Sequence, residues 1–230
     1  MLTQNSIVMD HSAITAAAVL SSLSVDSSPL AVGEIAKGNT LSFAANQKIY
    51  AEGDDSRVFY RVVSGVVRIC RFLSDGRRQI DAFYGEGEVF GFEVAGTRSF
   101  GAEAVTDCTV CCYQQVKLAG AKGSATAVPQ QLFSYAMARL AKAQEHAMVL
   151  SRRSAQERVA TFLVEWAKRS NGKDVASLAM TRTDIGDYLG LTIETVSRSL
   201  SHLERQGYIA LPTARQIEIK NVSALEDLFA

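Results

Sequence analysis

The spacing of apolar residues changes character once along this chain, near Val128. Before that point, from about Leu30 to Lys117, apolar residues fall in short β-branched and aromatic runs. The segment RVFYRVVSGVVRICRFLSDGRRQIDAFYGEGEVFGFEV holds two such runs, punctuated by Ser64-Gly65, Ser74-Asp75-Gly76 and Gly85-Glu86-Gly87. Asp-Gly between β-rich runs marks a hairpin, because both turn positions tolerate positive φ. Short strands at this spacing predict a small antiparallel β-barrel or jelly roll over residues 29–127.

Beyond Val128 the period becomes helical. VPQQLFSYAMARLAKAQEHAMVLSRR sets Phe133, Leu140 and Ala147 seven apart, with Ala136, Ala143 and Leu150 as the intervening set. That is a heptad seam of about three repeats. Residues 128–153 are expected to pair along it with a second copy of the chain; a helix lying on its own barrel is the alternative. SAQERVATFLVEWAKR follows, an amphipathic helix with Val159, Phe162, Leu163 and Trp166 on its stripe. Residues 1–28, rich in Ser, Ala and Thr without periodicity, read as a mobile extension. The fold class is α+β.

Within residues 154–230 the stretch TRTDIGDYLGLTIETVSRSLSHLERQG carries the most information. Thr183 is expected to cap a short helix, Asp184 to Leu189, with Ile185 and Leu189 inward. Gly186 is small where a second helix must cross, and Gly190 can adopt the left-handed conformation that ends a helix. Leu191 fills the corner. Thr192 caps a second helix with Val196, Leu200 and Leu203 inward, ended by Gly207. Its outer face presents Ile193, Glu194, Ser197, Arg198 and Ser201. A helix-turn-helix places this part of its second helix in the DNA major groove. There Arg can bond guanine twice and Glu can accept from a cytosine amino group. YIALPTARQIEIK, with strands from Tyr208 to Leu211 and Gln216 to Lys220, supplies a β-hairpin wing.

Charge narrows this picture. The formal net charge is +0, and from Ala155 onward 9 Lys and Arg face 10 Asp and Glu. DNA binding must therefore rest on a few placed cations and on base contacts more than on bulk charge. The cysteines are Cys70, Cys108, Cys111 and Cys112. Cys108 and Cys111 form a CxxC, but on a strand residues three apart face opposite ways, and no second ligand pair completes a tetrahedral site. They read as reduced and structural. Catalysis is not expected: His11, His146 and His202 are the only histidines, and none falls in the barrel. No apolar run approaches the roughly 18–20 residues that span a bilayer. The N-terminus lacks the basic start of a secretory signal, so a cytoplasmic location is expected.

From about residue 30 onward the chain resembles the CRP/FNR superfamily of bacterial regulators, most nearly its FixK subgroup. GLTIETVSRSL resembles the FNR-type recognition helix, whose E-x-x-S-R reads DNA; those positions are Glu194, Ser197 and Arg198. LSRRSAQERVATFL resembles the junction of the dimerisation helix with the DNA-binding domain. VVSGVVRICRFLSDGRRQIDAFYGEGEVFGFE resembles the cyclic-nucleotide-binding-like barrel. Ser199 departs from the apolar residue usual in relatives.

The resemblance implies a homodimeric regulator, expected to be an activator, on half-sites similar to TTGA facing TCAA and serving low-oxygen or nitrogen-fixation genes. Arg198 is assigned to guanine, Glu194 to the opposite base edge and Ile193 to a thymine methyl, with Ser197 assisting. Arg182, Thr183, Thr195, Ser199 and His202 are expected on phosphates, and RNA polymerase is the implied protein partner. No cysteine precedes Cys70, so an FNR-type iron–sulfur cluster is not expected. Cyclic-AMP-binding relatives use a Gly-Glu and an Arg-Ser pair, which Gly87-Glu88 and Arg98-Ser99 reproduce. Their adenine-binding Thr-Ser pair falls at Ala143 and Gln144, and the FixK-like reading needs no obligatory effector.

Overall fold

A computed structural model describes residues 38–93, 96–114, 127–152, 154–169, 175–213 and 216–227. The N-terminal extension, His11 and the first residues assigned to the barrel lie outside them.

Strands β1 (Asn39–Phe43), β2 (Lys48–Tyr50), β3 (Val58–Ser64), β4 (Val67–Phe72), β5 (Arg78–Tyr84), β6 (Val89–Phe90), β7 (Gly101–Ala104) and β8 (Cys108–Gln114) come first. They form two four-stranded antiparallel sheets, ordered β1-β8-β3-β6 and β2-β7-β4-β5. Of the two architectures the pattern allowed, this is the jelly-roll arrangement. Tyr50, Tyr60 and Phe90 stack between the sheets with centroids 5.2–6.2 Å apart, beside buried Val62, Val67 and Val110. The β4–β5 hairpin turns at Asp75-Gly76 as expected: Gly76 has φ +82°, and the Asp75 carboxylate accepts the Arg77 N–H at 3.0 Å. The four cysteines are free thiols, and burial pushes Cys70 up to about 11, with Cys108 and Cys112 also raised. Low thiolate content makes such groups poor nucleophiles and ligands.

Helix α1 (Ala127–Arg152) runs 26 residues, about 39 Å at 1.5 Å per residue. One face lies on its own chain. The Tyr135 hydroxyl donates to the Val89 carbonyl at 2.5 Å, Arg139 and Lys142 reach Asp81 and Glu88, and His146 stacks on Tyr188 at 4.1 Å. The opposite face is bare and apolar: Phe133, Met137, Leu140 and Met148 are 66, 48, 50 and 50% exposed. Ala136, Ala143 and Ala147 are exposed too. Leu150, the last residue of the expected seam, is half-buried and turned toward Gly190, where the helix also seats the C-terminal unit. Met137 and Met148 belong to the bare face and escaped the strict seven-residue pattern.

The rest comprises α2 (Ala155–Arg169), β9 (Val175–Ser177), α3 (Arg182–Leu189), α4 (Ile193–Arg205), β10 (Ile209–Thr213), β11 (Gln216–Ile219) and α5 (Val222–Asp227). The wing is three-stranded, ordered β10-β11-β9. Val159, Phe162, Leu163, Ile185, Leu189, Val196, Leu200 and Leu203 are buried as the periodicity required. Their core does not stop at the unit's edge, since Cys70, Ile80 and Phe83 from the β-sheets and Val105 just after β7 belong to the same cluster. No described helix is long and apolar enough to cross a membrane.

Candidate nucleic-acid interface

Two short helices build the site, each opened by a threonine. At α4, Thr192 is the cap, as the sequence indicated: its hydroxyl accepts the Thr195 N–H at 3.3 Å. At α3 the cap is Thr181, which corrects the expectation of Thr183. The Thr181 hydroxyl accepts the Asp184 N–H, and the Asp184 carboxylate accepts the Thr181 N–H, at 3.1 and 3.0 Å. Such a reciprocal box needs an acid or amide three residues past the cap. Asp184 stands there for Thr181, whereas Thr183 would find Gly186. Thr183 is an exposed residue of the first turn.

Gly190 ends α3 at φ 64°, ψ 39°. The Arg158 guanidinium donates to the Leu189 carbonyl at 3.1 Å, satisfying a helix-end acceptor. Gly186 is required by the turn itself: a Cβ there would stand 2.6 Å from the Leu191 carbonyl oxygen. With α3 and α4 so fixed, Val196, Leu200 and Leu203 point in, and Ile193, Glu194, Ser197, Arg198 and Ser201 line the outer side.

Glu194 is exposed, and its carboxyl is held below the usual carboxylate range by its own backbone N–H at the helix start, then by the Thr192 hydroxyl. It is therefore an ionised acceptor near neutral pH. Arg198 is exposed, and its guanidinium donates to the Thr195 hydroxyl at 3.4 Å. Arg182 reaches across from α3 to the Ser197 hydroxyl at 3.2 Å.

Beside this face lies a groove of about 700 Å³, lined by Ser154, Ala155, Gln156, Thr195, Ser197, Arg198, Ser199, Ser201, His202 and Arg205. Ser154, Gln156 and Arg205 were missed by sequence reasoning, although Ser154-x-x-Glu157 carried the signal. That pair forms a second capping box, with bonds of 2.8 and 3.3 Å. The groove thus holds the amino end of α2, a favourable place for an anion, alongside Arg198, His202 and Arg205. Ser199 also lines this groove but is only 7% exposed, off the outer side that carries Glu194 and Arg198.

The four residues matched to a cyclic-nucleotide site do not converge. Arg98 is 2% exposed, and its guanidinium donates to the carbonyls of Gly91 and Val58 at 2.5 Å each. It also lies 4.2 Å over the Tyr50 ring. Glu88 turns elsewhere, accepting the Gly85 N–H and pairing with Lys142 and Arg169. Gly87, at φ +83°, serves the turn before β6, and the Ser99 N–H donates to Glu93. A cyclic phosphate and ribose would need Arg98 and Glu88 facing one cavity, and this arrangement does not fit them.

Comparison with known proteins agrees with this geometry. Residues 157–228 match the model of the Crp-like helix-turn-helix domain, and residues 40–121 that of the cyclic nucleotide-binding domain. The chain therefore belongs to the CRP/FNR family of transcription regulators, on its FixK-like branch. It is 43% identical over 198 residues to the nitrogen fixation regulation protein FixK of Azorhizobium caulinodans, covering 84% of this chain and 80% of the relative. FixK of Rhizobium meliloti is 42% identical over 187 residues, covering 81 and 85%. The solved structure of FixK2 from Bradyrhizobium japonicum superposes with a TM-score of 0.80 at 41% identity, covering 84% of this chain and 98% of that one.

Proposed function

We propose that this regulator works as a homodimer that reads an inverted repeat of TTGA-like and TCAA-like half-sites without an obligatory small-molecule effector. One observation carries the reading: α4 is anchored by caps and core on every side except the one bearing Ile193, Glu194, Ser197 and Arg198. Arg198 serves guanine, Glu194 the opposite base edge, Ile193 a thymine methyl, and Ser197 assists. Arg182, Thr195, His202 and the amino end of α2 take phosphates, which position without specifying.

The bare face of α1 is the dimer contact, which puts the two recognition helices about one DNA turn apart, ~34 Å. Effector independence is supported by the commitment of Arg98 to backbone carbonyls and of Glu88 to α1 and α2. The role is regulatory and not catalytic, exercised in the cytoplasm through RNA polymerase. The names of the FixK relatives support activation of nitrogen-fixation or low-oxygen genes. The test is selection of bound duplexes from a random pool, with and without cyclic AMP. The same inverted repeat should emerge from both arms. No enrichment at low salt would reject DNA reading, and enrichment only with cyclic AMP would reject effector independence.

A further inference from the structure

The base-reading face is fixed relative to the β-sheets by a group of charged residues that the reading of α4 does not use. Arg68 of β4 pairs with Glu103 of β7 at 2.7 Å and with Asp184 of α3 at 3.1 Å. Arg78, at the start of β5, reaches the same Asp184 oxygen at 2.5 Å and Asp187 at 2.8 Å. The Arg68 and Asp184 side chains are 7 and 3% exposed. The second oxygen of Asp184 closes the α3 cap on Thr181. One carboxylate thus joins the first turn of the helix-turn-helix to two arginines of the sheet. Phe83 of β5 meets Phe162, Trp166 and Tyr188 at 5.5–6.4 Å, and Tyr188 stacks in turn on His146 of α1. Since α4 is locked to α3 by the Gly186–Leu191 turn, whatever orients α3 also orients α4.

We infer that the Arg68–Asp184–Arg78–Asp187 cluster is a spacer gauge: it sets the distance and rotation between half-sites that the dimer accepts, leaving the base sequence of each half-site to α4. This rests on the dimeric DNA reading above. Inserting one base pair moves a half-site by about 3.4 Å and turns it by about 36°, given 10–10.5 base pairs per turn. Each planar guanidinium holds two carboxylates at once, Arg68 those of Glu103 and Asp184 and Arg78 those of Asp184 and Asp187, so rotating α3 against the sheet breaks at least one buried charged bond. A second copy of the cluster across the dimer would double the constraint.

The experiment uses the full chain and duplexes carrying identical half-sites with spacers from two base pairs short to two long, plus a single half-site. Wild type should prefer one spacer by about tenfold or more over its neighbours, comparable with one mismatched base pair. Asp187→Asn, which leaves the α3 cap intact, and Arg78→Met should flatten that preference to within about threefold, with the single-half-site base preference unchanged. Arg78→Lys should restore part of it. The chain's single tryptophan, Trp166, reports by fluorescence whether the joint has loosened in each variant. Folded variants, Asp187→Asn above all, that keep the wild-type spacer ratios overturn the gauge. A wild type that binds its half-sites equally at every spacer also overturns it. A wild type that binds no duplex removes the DNA reading itself, and the gauge with it.

Discussion

Asp184 and Glu194 occupy nearly the same place in two consecutive helices, yet they do opposite things. Both follow a capping threonine in the first helical turn, Asp184 three residues after Thr181 and Glu194 two residues after Thr192. One residue along a helix is a rotation of about 100°. Asp184 is thereby turned inward, closes a capping box, and meets Arg68 and Arg78 in a buried joint. Glu194 is turned outward beside exposed Arg198, ionised at the helix start and open to solvent. A buried charge must be matched by protein groups, so it becomes architecture; an exposed one remains free to be matched by DNA.

The sharpest way to break this contrast is to remove the inward acid. Asp184→Leu leaves two arginines without their shared anion and deletes a cap, and should cost about 3–5 kcal/mol of stability in denaturant unfolding. A loss under 1 kcal/mol would mean that the joint tolerates unpaired arginine. The contrast extends to apolar groups. Leu140 is outward and half-exposed for a second copy to cover, so Leu140→Glu should leave the fold intact and shift sedimentation from dimer to monomer. Unchanged mass would move the dimer contact elsewhere.

Arg198→Ala tests the outward charge. It should leave unfolding unchanged, weaken operator binding by about 1–3 kcal/mol and relax preference at one base pair per half-site. An equal loss on scrambled DNA would reduce Arg198 to a phosphate contact. Thr192→Ala, which removes the α4 cap, should cost about 1 kcal/mol of stability in the same unfolding assay.

The smallest effect concerns His146, packed on Tyr188 of α3 and facing Asp81 of β5. Burial lowers its pKa below the ordinary 6.5, against the opposing pull of Asp81 and a backbone hydrogen bond to Tyr188. The fold thus favours the neutral ring. As pH falls through 6.5 the unfolded chain takes up a proton that the folded chain resists, so stability present above that pH declines below it. Denaturant midpoints should drop more steeply below 6.5 in wild type than in His146→Phe; parallel pH profiles would show that this ring carries no linkage.

Cues spaced three or four residues apart decided most of what could be read directly. Thr192, Gly190 and the inward Val196, Leu200 and Leu203 each follow from helical period and cap chemistry, and the structure places them accordingly. Two local cues were present but not weighed: the acid three residues after Thr181, and the Glu157 that completes a box with Ser154. Ser199 illustrates a different failure. A hydroxyl beside outward polar residues reads as outward, but Ser199 lies next to the inward Leu200 and only 7% of it is exposed.

The sequence by itself determined where the helix-turn-helix lies and which side chains it turns outward, because helical period and end-capping act between residues a few positions apart. Tertiary structure alone decided the joint. Arg68 and Asp184 are 116 residues apart, and Arg68 sits in an alternating strand where a polar residue would ordinarily face water. Nothing local distinguishes an arginine bound for solvent from one that will meet a helix cap folded onto its sheet. The same holds for Gly87-Glu88 and Arg98-Ser99: residue types and spacing matched a ligand site, but the turn before β6 sent Glu88 to α1 and α2 and left Arg98 bonded to backbone carbonyls.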